Sequence, residues 1–161
     1  MLAARSAIDD ARVLDLYAGT GALALEALSR GAAEAILVES GREALDVIRA
    51  NIQALGVEKA ARVLSMPVER AIKQLQAKES AFDLVFADPP YAEVSGGAAV
   101  RALVSLVRAD LVAPGGTLIL EHASADPSPA MEGLAFIESR RHGDTTLSFY
   151  GPMTAKDAAD T

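Results

Sequence analysis

From Arg12 onward, short apolar runs rich in β-branched residues alternate with longer stretches in which apolar positions recur every three or four residues. The first pattern predicts buried strands and the second amphipathic helices. Strands are expected at residues 12–16, 35–38, 61–64, 84–87 and 117–121. Helices are expected at 22–30, 42–55, 68–78 and 97–111, the second marked by Leu45, Ile48, Ile52 and Leu55 on one face. Gly31 and Gly56 follow the first two helices, and Pro114-Gly115-Gly116 is expected to break the chain ahead of the fifth strand. Strands alternating with helices imply a parallel sheet covered on both faces.

Beyond Glu121 the rhythm changes. A loop, Ala123-Ser124-Ala125-Asp126-Pro127-Ser128-Pro129, leads to two alternating runs at 134–140 and 145–150. Joined through residues 141–144, these are expected to pair as a hairpin on the sheet edge. Residues 152–161 read as a polar tail that frays, and residues 1–151 as a single domain.

Composition narrows the functional classes. A chain of 161 residues buries roughly 70% of its unfolded surface, and with 51% apolar and 23% charged residues it has the mass for a packed core. Cysteine is absent, which excludes disulfide scaffolds, thiolate-ligated metals and thiol nucleophiles. His122 and His142 are the only histidines, so no metal site is expected. Charged residues interrupt every apolar run before membrane-spanning length, and the start lacks a signal-peptide pattern, so a cytoplasmic protein is the expectation. The net charge of −7 opposes non-specific attraction to nucleic acid.

The strongest local signal is Asp15-Leu16-Tyr17-Ala18-Gly19-Thr20-Gly21-Ala22-Leu23, an apolar strand entering a Gly-x-Gly turn and then a helix. Gly19 is read as supplying a backbone geometry closed to other residues, and Gly21 as letting the chain approach a ligand. A strand-to-helix turn without a ligand would use the same residues. Glu39 ends the second strand about twenty residues later, where an acid binds the ribose of a nucleotide cofactor. A dinucleotide oxidoreductase shares that spacing. Asp15, however, suits a cationic amino-acid moiety and would repel a pyrophosphate.

The second signal is Asp88-Pro89-Pro90-Tyr91 at the carboxyl end of the fourth strand. Two prolines remove N–H groups, so the turn offers acceptors only, beside an aromatic face. That combination suits a planar base with an exocyclic amine: Tyr91 stacks on it while Asp88 and a prolyl carbonyl accept the amine hydrogens. Those acceptors would orient a weak amine nucleophile towards an electrophilic methyl group. A rigid turn with an incidental aromatic is the alternative.

With both motifs in hand, the chain resembles the Rossmann-like class I methyltransferases that use S-adenosylmethionine to modify exocyclic base amines. Within them it is most similar to the bacterial small-subunit (16S) ribosomal RNA (guanine-N2)-methyltransferase family. The resemblance extends from Asp15 through Ala32, over Asp88-Pro89-Pro90-Tyr91, and from Glu121 through Arg141-His142-Gly143 to Tyr150. It implies an α/β fold with a doubly wound, mostly parallel seven-stranded sheet and an antiparallel C-terminal hairpin. It also implies that Asp15, Tyr17, Gly19, Thr20 and Gly21 line the methionine part of the cofactor, Glu39 the ribose and Ser40 the adenosine edge. Asp88, Pro89, Pro90 and Tyr91 would hold the guanine, with Asp88 also bordering the cofactor.

Two departures from the family pattern qualify this. Ser65-Met66-Pro67 stands where the family often has an acid or amide reaching the adenine amine, so Met66 and backbone groups are expected to pack on adenine. Family members also carry a basic segment with an Arg-Pro-Thr stretch ahead of the first strand; here Met1-Leu2-Ala3 looks like the end of a helix that would follow it. The expectation is a short form that folds yet methylates ribosomal RNA poorly or not at all.

The implied partner is ribosomal RNA or an assembling small subunit, met by a monomer without metal or membrane. Adenine-N6 methylation of DNA or RNA and an inactive cofactor- or ribosome-binding remnant are the alternatives. Arg101, Arg108 and Arg140-Arg141-His142 read as solvated or ion-paired, Glu26 as an ordinary helix residue, and Glu121-His122 as closing the fifth strand at the ligand edge, where either could border the pocket.

Overall fold

The computed structural model describes residues 8–160; the helix end expected at residues 1–3 lies outside them. Strand β1 (Arg12–Asp15) leads into α1 (Ala22–Ser29), β2 (Glu34–Glu39) into α2 (Arg42–Leu55) and β3 (Ala61–Ser65) into α3 (Val68–Lys78). After β4 (Phe82–Ala87) come a short α4 (Tyr91–Ser95) and α5 (Ala98–Arg108). Then follow β5 (Val112–Ala123), β6 (Leu134–His142), β7 (Thr145–Pro152) and α6 (Ala155–Ala159).

The seven strands form one sheet in the order β3-β2-β1-β4-β5-β7-β6. The first five run parallel, and β7 inserts antiparallel between β5 and β6. Successive residues of a strand face opposite sides of the sheet. Thus Leu14, Ile36, Val85 and Leu118 pack with Ile72 and Leu75 of α3 and Leu103 and Leu106 of α5. Val13, Leu37, Leu84 and Ile119 pack on the other face, with Leu25 of α1 and Ile48 and Ile52 of α2. Burial on both faces explains why the strands read as uninterrupted apolar runs.

The expected strands and helices all form, with shifted ends. Pro114-Gly115-Gly116 does not precede β5 but lies inside it, and the pairing with β4 slips there, from Phe82 opposite Val112 to Leu84 opposite Thr117. The bulge absorbs residues that the ladder cannot match. The hairpin forms with only Gly143 and Asp144 between its strands, Gly143 at φ +63°. Helix α5 is shorter than expected and α4 was not foreseen. The tail does not simply fray: Thr154 and Asp157 make a reciprocal capping box at the start of α6.

Arg12 fastens the amino-terminal end of the sheet. Its guanidinium bonds Glu34 of β2, Glu79 after α3 (2.8 Å) and the carbonyls of Ser80 and Ala81, and it lies 4.6 Å over the Phe82 ring. Glu79 also takes Arg62 of β3, and these two cations hold its carboxyl below the usual range. A carboxyl lowered in the folded state stabilises above its unfolded pKa, and that contribution is lost as pH falls through the folded value. Arg12→Ala is expected to cost roughly 1–3 kcal/mol at neutral pH, lowering the melting temperature by about 2–4 °C per kcal/mol. It should also flatten the acid limb of a stability–pH curve; an unchanged acid limb in thermal melts would remove this network from the account.

Candidate active site

The carboxyl ends of parallel strands are where open α/β sheets bind ligands. Here they open into a cleft of about 700 Å³, which joins the glycine turn to the Asp88-Pro89-Pro90-Tyr91 turn. Its walls include Asp15, Tyr17, Gly19, Thr20, Glu39, Ser40, Asp88, Pro89, Pro90 and Tyr91. Ten of the expected residues therefore share one cavity, although they come from three strands and the turns that follow them.

The two glycines divide the work differently from the expectation. Both have positive φ, +57° at Gly19 and +82° at Gly21. A Cβ on Gly19 would meet nothing within 4 Å, so this is the bare backbone that a ligand can approach. A Cβ on Gly21 would sit 3.0 Å from Leu37 Cδ2 and close to Leu25 and Ile48, so Gly21 lets α1 pack against β2 and α2. Gly21 does not line the cleft. The same holds for Met66, which is half-buried against the α3 side of the core, so the structure gives no support to its packing on adenine.

Glu39 braces the turn. One carboxylate oxygen accepts the Gly19 N–H at 2.8 Å, and the other accepts those of Ser40 (2.9 Å) and Gly41 (2.8 Å). A carboxylate offers about four lone-pair sites. Three are used, so Glu39 keeps room for one further hydroxyl.

Asp15 is the anomaly of the core. It is 1% exposed, and its Oδ1 has no hydrogen-bond partner among the described residues. Burial, followed by repulsion from Asp88 and Glu39, pushes its carboxyl from 3.8 to about 7, against the opposing pull of the Tyr17 and Ala24 backbone. Across the cleft Glu121 is pushed up from 4.5 to about 7, by burial first and then by its hydrogen bond to Asp88 and the charge there. Burial, with Glu93 and Glu69 nearby, raises the Tyr17 phenol. Among the described residues, five acids and no Lys, Arg or His line the cavity, which favours a cationic guest. Glu93, at the start of α4, was missed; only a helix beginning at Tyr91 would have marked it. Tyr91 is anchored by a 2.8 Å hydrogen bond between its hydroxyl and that of Thr145 on β7.

The weaker signals also resolve. Glu121 lines the cleft, whereas His122 is 1% exposed and turns to Ser148 Oγ (2.7 Å) and the Ala123 carbonyl (3.0 Å). Arg108 pairs with Glu132, Arg140 with Glu138 and Glu26 with Arg30. No group of acids and histidines among the described residues is arranged to hold a metal, and none of their helices is long and apolar enough to cross a membrane.

A sheet in this strand order, with acids at the ends of β1 and β2 around a glycine turn and an Asp-Pro-Pro-Tyr turn after β4, defines a Rossmann-like class I methyltransferase fold. The chain belongs to the family described as Conserved hypothetical protein 95, whose pattern matches residues 1–151. It is 32% identical over 144 residues to the Bacillus subtilis protein named "Putative rRNA methyltransferase YlbH", covering 88% of this chain and 76% of that one. It is 42% identical over 84 residues to Ribosomal RNA small subunit methyltransferase D of Escherichia coli (strain K12), 52% of this chain and 40% of that one. Ribosomal RNA large subunit methyltransferase I of Klebsiella pneumoniae is 28% identical over 73% of this chain but 31% of its own length. Among solved structures, "Putative methyltransferase yhhF from Escherichia coli" superposes with a TM-score of 0.78 at 28% identity, covering 91% of this chain and 80% of that one.

The raised carboxyls carry a consequence for stability. An acid whose folded pKa lies above its unfolded value stabilises fully below the unfolded value and loses that contribution as pH rises to the folded one. For Asp15 the window runs from about 4 to about 7. The ligand-free Asp15→Asn variant is therefore expected to gain melting temperature over wild type progressively from about pH 4 to about pH 7 and to level off above it. A constant difference across that range would show that Asp15 is ionised throughout.

Proposed function

We propose that this protein transfers a methyl group from S-adenosylmethionine to the exocyclic N2 amine of a guanine in small-subunit ribosomal RNA. One observation carries the reading: a buried carboxyl with one unpartnered oxygen and an acceptor-only Asp-Pro-Pro-Tyr turn share a single acidic cleft. The family and the ribosomal RNA methyltransferases among its relatives support it.

The residues present fit the methyl donor. It carries an ammonium and a sulfonium, and Asp15 Oδ1 is a buried acceptor awaiting a donor. Asp15, Tyr17, Gly19 and Thr20 would hold its amino-acid part, while Glu39 and Ser40 would hold the ribose and adenosine edge. When bound, it supplies an electrophilic methyl group that leaves sulfur for nitrogen as one N–H proton departs to solvent. The chain's own work is orientation and charge. Tyr91 offers its face to the base, and Asp88 and the Pro89 carbonyl accept the amine hydrogens. Their negative charge steadies the positive charge that grows on the attacking nitrogen. Pro89 and Pro90 contribute no competing donors.

S-adenosylmethionine or its demethylated product should raise the melting temperature, whereas NAD should not. Since a cation favours ionised Asp15, the affinity should rise with pH through about 7. Glu39→Ala should weaken the shift. Equal stabilisation by NAD, or none by donor and product, would overturn the assignment.

Asp88→Ala separates binding from chemistry. Its thermal shift with the donor should persist, while methyl transfer to ribosomal RNA falls by about a hundredfold or more, the scale for losing one preorganised contact. Turnover near wild type would take Asp88 out of the reaction.

A further inference from the structure

Glu121 has no part in the reaction just described, yet the sheet brings it to the centre of the site. The parallel register sets Ala87 of β4 beside Leu120 of β5. One residue further on, Asp88 and Glu121 reach the same level at the sheet edge, close enough for Asp88 to push the Glu121 carboxyl up. Both line the cleft with Pro89, Pro90 and Tyr91. Among the described residues, the neighbouring elements supply no positive charge. On β7, Leu147 stands opposite Glu121, and His122, next along β5, is turned to Ser148. Asp15 on β1, Glu39 on β2 and Glu93 on α4 add further acids to the cleft, and Tyr17 and Tyr91 are its other titratable side chains among the described residues.

Two adjacent carboxyls beside an acceptor-only turn select for a particular edge of a base. Guanine presents N1–H and N2–H₂ side by side, two donors in a row. Adenine presents N6–H₂ beside a bare N1, a donor next to an acceptor. A site built from acceptors leaves buried oxygen facing lone pair when the wrong edge enters, and mismatches of that kind give the largest discriminations.

We propose that Glu121 is the guanine-reading residue of this site: its carboxylate accepts N1–H while Asp88 accepts a hydrogen of the N2 amine. The proposal rests on the guanine-N2 reading above and assigns it a specificity determinant. Burial and Asp88 push the Glu121 carboxyl up to about 7, so the group exchanges its roles near neutrality. Ionised, it accepts from N1–H; protonated, it donates to a bare ring nitrogen. Discrimination therefore rises with pH.

The test uses a synthetic ribosomal RNA fragment that spans the methylated residue and carries guanine, 2-aminopurine or inosine there. 2-Aminopurine keeps the N2 amine but has a bare N1, and inosine keeps N1–H but lacks the amine. Wild type at pH 8 should prefer guanine to 2-aminopurine by about a hundredfold or more in kcat/KM, on the scale of a lost hydrogen-bond partner. That preference should shrink about tenfold at pH 6. Glu121→Gln, whose amide both donates and accepts, should bring the two substrates within about fivefold at every pH, and Glu121→Ala should likewise lose the preference. A thermal shift of Glu121→Gln with S-adenosylhomocysteine equal to wild type establishes that the site is intact. A wild-type ratio near one, or a ratio that survives in Glu121→Gln, overturns the assignment of Glu121 while leaving the guanine reading in place. Methylation of the inosine fragment, of adenine instead of guanine, or of no fragment overturns that reading and this inference with it.

Discussion

Negative charge held inside the carboxyl edge of the sheet is the constraint on which this structure turns. Asp15 is almost wholly buried with one oxygen unpartnered, and Glu39, Asp88, Glu93 and Glu121 surround the same cavity. Stability alone does not favour such an arrangement, because each additional buried or crowded carboxylate raises the cost of ionising the next. The fold tolerates it by keeping Asp15 and Glu121 partly protonated near neutral pH. A cation entering the cleft reverses that balance, so ligand binding and proton release are coupled there.

The scaffold bears this cost because both faces of the sheet are covered. Leu14, Val85 and Leu118 on one side, and Val13, Leu84 and Ile119 on the other, are at most 6% exposed. With the strands fixed in parallel register, their carboxyl ends fall at one level, and that brings acids from β1, β2 and β5 to one place. At the opposite edge Arg12 collects Glu34 and Glu79 and ties β1 to β2 and to the chain entering β4. Charge is thus satisfied at one edge of the sheet and left unsatisfied at the other, and the unsatisfied edge holds the cleft.

An overall charge of −7 bears on the substrate. A polyanionic RNA gains little from the protein's net field, so recognition at the cleft depends on short-range chemistry. Under the proposed function, Tyr91, held by Thr145, would supply a stacking surface, and the acceptors beside it a directional pattern. The acidity that disfavours the phosphate backbone is the same property that suits a cationic methyl donor and, under the proposed function, the donor-rich edge of guanine.

Much of this was legible in the chain itself. Apolar period and glycine punctuation located the five parallel strands, the four long helices and the hairpin, because local propensity and two-sided burial leave direct marks on sequence. The Asp15-to-Gly21 segment and Asp88-Pro89-Pro90-Tyr91 were recognisable because each is a contiguous stretch whose chemistry depends on neighbours in sequence. What depended on distant contacts was not legible. The bulge at Pro114-Gly115-Gly116 follows from pairing with β4, and the packing role of Gly21 follows from Leu37, Leu25 and Ile48 converging on it. The saturation of Glu39 by three backbone donors and the withdrawal of Met66 from the cleft likewise needed the folded chain. So did the meeting of Asp88 and Glu121: sequence could place each acid near the end of a strand, but only the register between β4 and β5 sets the two carboxyls together, since hydrogen bonding and proton affinity depend on separation in space.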